Sequence, residues 1–157
     1  MRRASRGRSP VLDSALVRIA RAASYSRLWL LIAAALVVFG GRLERRAARR
    51  GLVAIAIAAT FANGPAKLLA GRRRPSSSVA PLIRMPRSTS FPSGHSAAAF
   101  AFATGVCTEC PQLAPVLFPL AGAVAYSRVH TGVHYPSDVV AGIAIGVGSG
   151  LLSRKSL

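Results

Sequence analysis

Charge in this chain is confined to seams between apolar stretches. Five runs carry no acidic or basic side chain apart from histidine: Leu28 to Gly41, Gly51 to Ala66, Ser88 to Thr108, Cys110 to Ser127 and Val139 to Ser153. A soluble domain scatters charge along its helices, because each helix shows one face to water. Crossing a bilayer takes about 20 apolar residues, and several of these runs are shorter. Arginine and lysine at their ends can snorkel to the interface and extend the effective length. Five runs in succession predict a membrane bundle. No alternating pattern long enough for a membrane β-barrel is present. The expected fold is therefore all-α: a polytopic membrane helix bundle of about five transmembrane helices. Small residues recur from Ala141 to Gly150, where they let helices approach closely in lipid.

The N-terminal segment reads differently. Residues 1–10 form a basic arm expected to be disordered, and Pro10 marks where order begins. From Val11 to Ala23, the apolar Leu12, Leu16, Ile19 and Ala23 recur at helical spacing, interrupted by Asp13, Arg18 and Arg21. That pattern predicts an amphipathic helix on the membrane surface, with the membrane domain occupying 11–157. The same interruptions argue against a cleaved secretion signal. With 21 basic and 4 acidic residues, the net charge is +17. Arginines at a membrane edge attract anionic phospholipids, which are the expected partners along with a membrane lipid substrate. Nucleic acid is not, since the arginines punctuate apolar runs and no nucleic-acid module is visible.

The polar residues that remain cluster at the mouths of the apolar runs. Lys67 and Arg74 follow the second, His95 lies in the third, and Arg128, His134 and Asp138 fall between the fourth and fifth. If the runs alternate in direction, all three clusters meet at one face of the membrane. Two arginines and a lysine provide forked and point-like donors for phosphate oxygens. The Ser93 and Gly94 backbone, at the expected start of a helix, adds N–H donors and a favourable helix-end dipole. His134 and Asp138 are four residues apart, so a helix starting near Pro136 lets the carboxylate fix the imidazole tautomer and leaves the other ring nitrogen free.

Three segments carry a family signature. Lys67 to Pro75 reads KxxxxxxRP, Pro92 to His95 reads PSGH, and Ser127 to Asp138 reads SRxxxxxHxxxD, in that order and without departure. Together they resemble the type 2 phosphatidic acid phosphatase family, whose signature is shared with vanadium haloperoxidases. The resemblance implies that His134 is the nucleophile that forms a phosphohistidine, Asp138 orients it, and His95 protonates the leaving oxygen. It implies that Lys67, Arg74, Ser93, Gly94 and Arg128 hold the phosphate, with no metal and no cofactor. Asp138 is the only acid near the expected site, in keeping with that.

The implied substrate is a lipid phosphate. Short relatives in high-GC bacteria, whose composition this chain resembles, act on decaprenylphosphoryl-5-phosphoribose, which is the first specific expectation. Undecaprenyl diphosphate and phosphatidylglycerophosphate are the alternatives, and a non-catalytic basic module binding anionic lipids is the alternative of another class. The expected location is a bacterial inner membrane, multi-pass, with an excess of arginine on the motif side tilting the site towards the cytoplasm. Arg72 and Arg73 read as interface anchors, His130 as a packing or supporting residue, and Tyr126 and Tyr135 as interfacial aromatics. Asn63 and Pro65 read as shaping their helix, and Cys107 and Cys110 as free thiols.

Overall fold

The structure, a computed structural model, describes residues 9–64, 67, 71–75, 81–86 and 88–155. Most of the expected basic arm, together with Pro65, lies outside the described residues, and so does the Asn63 side chain. Among the described residues six α-helices carry the fold: α1 (Pro10–Ala22), α2 (Arg27–Phe39), α3 (Arg42–Asn63), α4 (Gly94–Cys107), α5 (Ala114–His130) and α6 (Pro136–Leu152). Among the described residues there is no strand.

The centre of the bundle is α4. Ala97, Ala99, Ala101, Phe102, Ala103 and Val106 are all buried, so this helix is enclosed on nearly every side. Helices α3, α5 and α6 pack around it. Small side chains make that possible, since alanine lets neighbouring backbones close in. Against α6 the approach is closest. A Cβ added at Gly142 would sit 2.5 Å from the Ser93 carbonyl oxygen, and one at Gly146 would sit 2.5 Å from that of Ala97. Gly150 extends the stripe against Thr104. On the other flank, Trp29 of α2 is fully buried, its ring centroid 5.4 Å from that of Phe102.

Several sequence expectations need revision. Arg42 to Arg50 do not form a connector; they are the first turns of α3, which starts nine residues before its apolar run. Arg50 is buried there and meets Glu109 at 2.6 Å, and Arg46 meets the same carboxylate at 3.4 Å. One acid just beyond the end of α4 thus holds Arg50 in the interior and Arg46 at the surface of what reads as a charged seam. Cys107 and Cys110 flank this ion pair as free thiols.

The N-terminal helix is not simply laid on a surface. It buries Leu16 and Ala20 and packs along α5, with Asp13 Oδ1 and His130 Nε2 2.6 Å apart. His130, read from sequence only as a supporting residue, is the anchor of α1. Between α1 and α2 the chain bends by 68° through a short 3-10 turn at Ser24–Ser26. Considered alone, no described helix is long and apolar enough to cross a membrane; α1 and α2 pass that test only as a bent pair, and α6 is a shorter apolar helix. The five helices expected from the apolar runs are all present, but their number as membrane spans is not established by their lengths.

The α4–α6 contact generates a direct test. At Gly146 the nearest atoms include backbone, which cannot swing aside, whereas a Cβ at Gly148 meets nothing within 4 Å. Gly146→Val is expected to cost about 1–3 kcal/mol through overpacking, read as a lowered thermal unfolding midpoint in detergent, while Gly148→Ala leaves the midpoint nearly unchanged.

Candidate active site

Motif residues from four separate parts of the chain meet at one end of the bundle, because the starts of α4 and α6 are tied together. The Ser93 N–H donates to the Asp138 carbonyl oxygen at 2.9 Å. Ser93 is also the N-cap of α4: its hydroxyl accepts from Ser96 N–H at 3.4 Å and from the Ser96 hydroxyl at 2.9 Å. Capping of this kind holds the first turn of a helix in place. It also means that Ser93 is fully buried, with its N–H committed inside the protein. Its N–H, expected from sequence to face a phosphate, is therefore directed at Asp138 instead. Gly94 and His95 line the cavity, and among the described residues their N–H groups meet no protein acceptor.

The third motif is folded by its own turn. His134 N–H and Val133 N–H both donate to the Arg128 carbonyl, at 3.2 and 3.3 Å. Gly132 takes φ +75°, the left-handed region that glycine enters without strain. That reversal brings Arg128, from the last turn of α5, close to His134 ahead of α6. Ser127 points away from the cavity, its hydroxyl donating to the Val124 carbonyl at 2.6 Å.

Lys67, Arg74, Gly94, His95 and His134 share the wall of one cavity of about 250 Å³, and Ile55, Ala59 and Ala98 give it an apolar side. Arg128 is buried behind His95 and opens into an adjoining cavity. Every N–H of Arg74 is engaged. Nε donates to Ser88 O, Nη2 to Ser88 Oγ and Thr89 O, and Nη1 to Val133 O and His134 Nε2, all between 2.8 and 3.2 Å. Lys67 Nζ reaches the same Ser88 hydroxyl at 3.4 Å. Ser88 is thus the hub of the first motif, a role that no spacing in the sequence announces.

The contact between Arg74 and His134 fixes a tautomer. A guanidinium only donates, so Nε2 accepts, and the proton of the neutral ring lies on Nδ1. Nδ1 faces Asp138 Oδ2 across 3.5 Å, outside hydrogen-bonding geometry. Burial first, and then the charges of Arg74 and Arg128, push the His134 imidazole down to about 4, while Asp138 pulls the other way. His134 is therefore neutral at ordinary pH, with its Nε2 lone pair engaged by Arg74. Burial and the nearby Arg74 charge likewise hold Lys67 below the usual lysine value.

Arg72 corrects the sequence reading most sharply. It is no simple interface anchor: its Nη1 donates to Asp138 Oδ1 at 3.1 Å and to Ser137 Oγ at 2.8 Å, and its guanidinium lies 4.1 Å from the centroid of the Tyr135 ring. The second carboxylate oxygen of Asp138 accepts the Tyr135 N–H at 2.9 Å. Both oxygens are held, so the carboxylate cannot rotate away from His134. Three successive arginines hid this, because only Arg74 occupies the motif position. Tyr135, read as an interfacial aromatic, is the platform for Arg72, while Tyr126 is exposed.

Comparisons with known proteins converge on one family. The profile described as the PAP2 superfamily matches residues 49–157. Over 140 residues the chain is 35% identical to decaprenylphosphoryl-5-phosphoribose phosphatase of Mycolicibacterium smegmatis, covering 87% of this chain and 73% of that one. The crystal structure of Aquifex aeolicus LpxE superposes with a TM-score of 0.78 at 28% identity, covering 95% of this chain and 88% of that one. That of the transmembrane PAP2-type phosphatidylglycerolphosphate phosphatase of Bacillus subtilis gives 0.74 at 25% identity, covering 95% and 78%. With the profile spanning well over half of its residues and both structures matching nearly its whole length, this chain belongs to the PAP2 superfamily.

Proposed function

We propose that this protein is a multi-pass membrane phosphatase that removes phosphate from a lipid through a phosphohistidine on His134. The observation that carries the reading is the pairing of a neutral, oriented imidazole with a cluster of cations in one cavity. Lys67 and Arg74 in that cavity are charged to hold phosphate oxygens, with Arg128 beside it in the adjoining one, and the Gly94 and His95 N–H groups add donors at the start of α4. Ser93 serves by fixing that start.

The reaction follows from this placement. Phosphate oxygens compete for the Nη1 donor of Arg74, which leaves His134 Nε2 and exposes the lone pair. Nε2 then attacks phosphorus, the bond to the leaving oxygen breaks, and protonated His95 gives its proton to that oxygen. The phosphorylated ring, still carrying the Nδ1 proton, is positive and is stabilised by Asp138. Water next attacks phosphorus, His95 takes a proton from it, and inorganic phosphate departs with both histidines restored. The substrate's own negative charge offsets the surrounding cations and favours the proton on His95. No metal is required: Asp138 is the one carboxylate at the site, and both its oxygens are engaged.

Among lipid phosphates, decaprenylphosphoryl-5-phosphoribose is the first candidate, supported by the relative that acts on it. The apolar side of the cavity suits a chain entering from the bilayer, where basic helix ends also attract anionic phospholipids. A cytoplasmic face of a bacterial inner membrane fits both the arginine distribution and that substrate.

Phosphate release from a lipid phosphate panel in detergent with a chelator present tests this reading. Turnover is expected to persist in the chelator, to be lost in His134→Ala and to be strongly reduced in His95→Ala; full activity of His134→Ala would defeat the mechanism, and lipid binding without turnover by the wild type would favour a non-catalytic module. Asp138→Asn is expected to lower kcat by about 10²–10⁴-fold. Because Asp138 raises the His134 pKa, its loss also moves the acid limb of kcat/KM, set near pH 4 by neutral His134, to still lower pH. Arg72→Gln frees the Asp138 carboxylate to rotate, so kcat is expected to fall by about tenfold with KM little changed, as for a positioning residue.

A further inference from the structure

The steps above leave a second cavity unused. It has a volume of about 640 Å³ and shares His95 and Pro86 with the first, but not His134, Lys67 or Arg74. Its cationic lining comes from three parts of the chain: Arg21 near the end of α1, Arg84 in the segment before α4, and Arg128 in the last turn of α5. Arg128 is only 2% exposed, and its Nε has no hydrogen-bond partner.

No carboxylate neutralises these three. The chain has four acids, and each is placed elsewhere. Asp13 meets His130, Glu44 accepts the Gly41 N–H, Glu109 holds Arg46 and Arg50, and Asp138 holds Arg72. Arg21 and Arg84 form no ion pair among the described residues. Like charges around one cavity repel, more strongly where water is partly excluded, and an anionic ligand relieves that repulsion. The nucleophile cavity already supplies Lys67 and Arg74 to the phosphate under attack.

We propose that this second cavity receives the leaving group of the substrate, and that Arg21 and Arg84 select a leaving group that carries a phosphate of its own. The proposal rests on the phosphatase reading above. His95 must touch the leaving oxygen to protonate it, and His95 is in the wall of both cavities, so the departing alcohol extends past His95 into the second. There its own phosphodiester or phosphomonoester meets Arg21 and Arg84, while Ile83 and Met85 line the cavity with apolar surface. The substrate class is thus a lipid with two phosphates, one cleaved and one retained on the product. A neutral diacylglycerol leaving group would leave these cations unmatched.

Steady-state kinetics in neutral detergent test this, using phosphatidylglycerophosphate, whose leaving group keeps a phosphodiester, and phosphatidic acid with the same acyl chains, whose leaving group is neutral. The Arg21→Gln/Arg84→Gln variant is expected to raise KM for phosphatidylglycerophosphate by about tenfold, with its kcat and both constants for phosphatidic acid within about twofold of wild type. Retained turnover of phosphatidic acid shows that the variant folds. Equal losses on both substrates, or no loss on either, would overturn the proposal. So would an effect that appears only when phosphatidylglycerol is added to the micelles, since a neighbouring lipid would then be the occupant. Absence of phosphate release from both substrates by the wild type, together with inactivity on the whole lipid phosphate panel, would sink the phosphatase reading, and this assignment with it; inactivity on these two alone, with turnover of another lipid phosphate, would overturn the assignment only.

Discussion

The close contact between the backbones of α4 and α6 is what the rest of this structure depends on. Gly142, Gly146 and Gly150 remove the side chains that would hold the two helices apart, and the Ser93 N–H reaches the Asp138 carbonyl at their starts. Two consequences follow for chemistry. His95, on the first turn of α4, comes to face His134, which precedes α6 by two residues. The Asp138 carboxylate is fixed in the first turn of α6, where it can address the His134 ring. Packing that looks like a matter of stability is therefore what sets the geometry of the groups proposed to react.

Charge is the second organising constraint. With four acids against twenty-one basic residues, each carboxylate has a definite task. Asp13 fastens α1 to α5, Glu109 gathers two arginines at the opposite end of the bundle, Glu44 caps α3, and Asp138 faces the His134 ring. What is left over is a concentration of positive charge around two adjoining cavities. Burial and that excess together disfavour a proton on His134, and under the proposed mechanism the same surplus of charge prepares the nucleophile and attracts its target. Under the proposed mechanism Arg74 restrains the imidazole it later helps, because its donor to His134 and an incoming phosphate compete for the same place.

The motif spacings made most of this centre readable from sequence. Lys67, Arg74, Gly94, His95 and His134 line one cavity, and Pro136 opens α6 where the four-residue step from His134 to Asp138 requires it. Partners outside the motifs were not readable. Arg72 was indistinguishable from two neighbouring arginines, and its attachment to Asp138 spans 66 residues of chain. Ser88 gave no signal because hydrogen-bonding to Lys67 and Arg74 depends on how an irregular segment crosses the mouth of the bundle. The start of α3 was missed for a related reason: the burial of Arg50 depends on Glu109, far away in sequence.

Sequence alone determined that the chain forms helices and which faces are apolar, since those properties follow from local composition and period. It also determined the chemical inventory for phosphate, because the reacting groups are set by residue type and short spacing. Only tertiary structure decided which nitrogen of His134 is available, which donors remain free at the start of α4, and that Ser93 and Arg72 act through their neighbours. Those outcomes depend on hydrogen bonds between distant segments, and a hydrogen bond exists only once packing has brought donor and acceptor within about 3 Å.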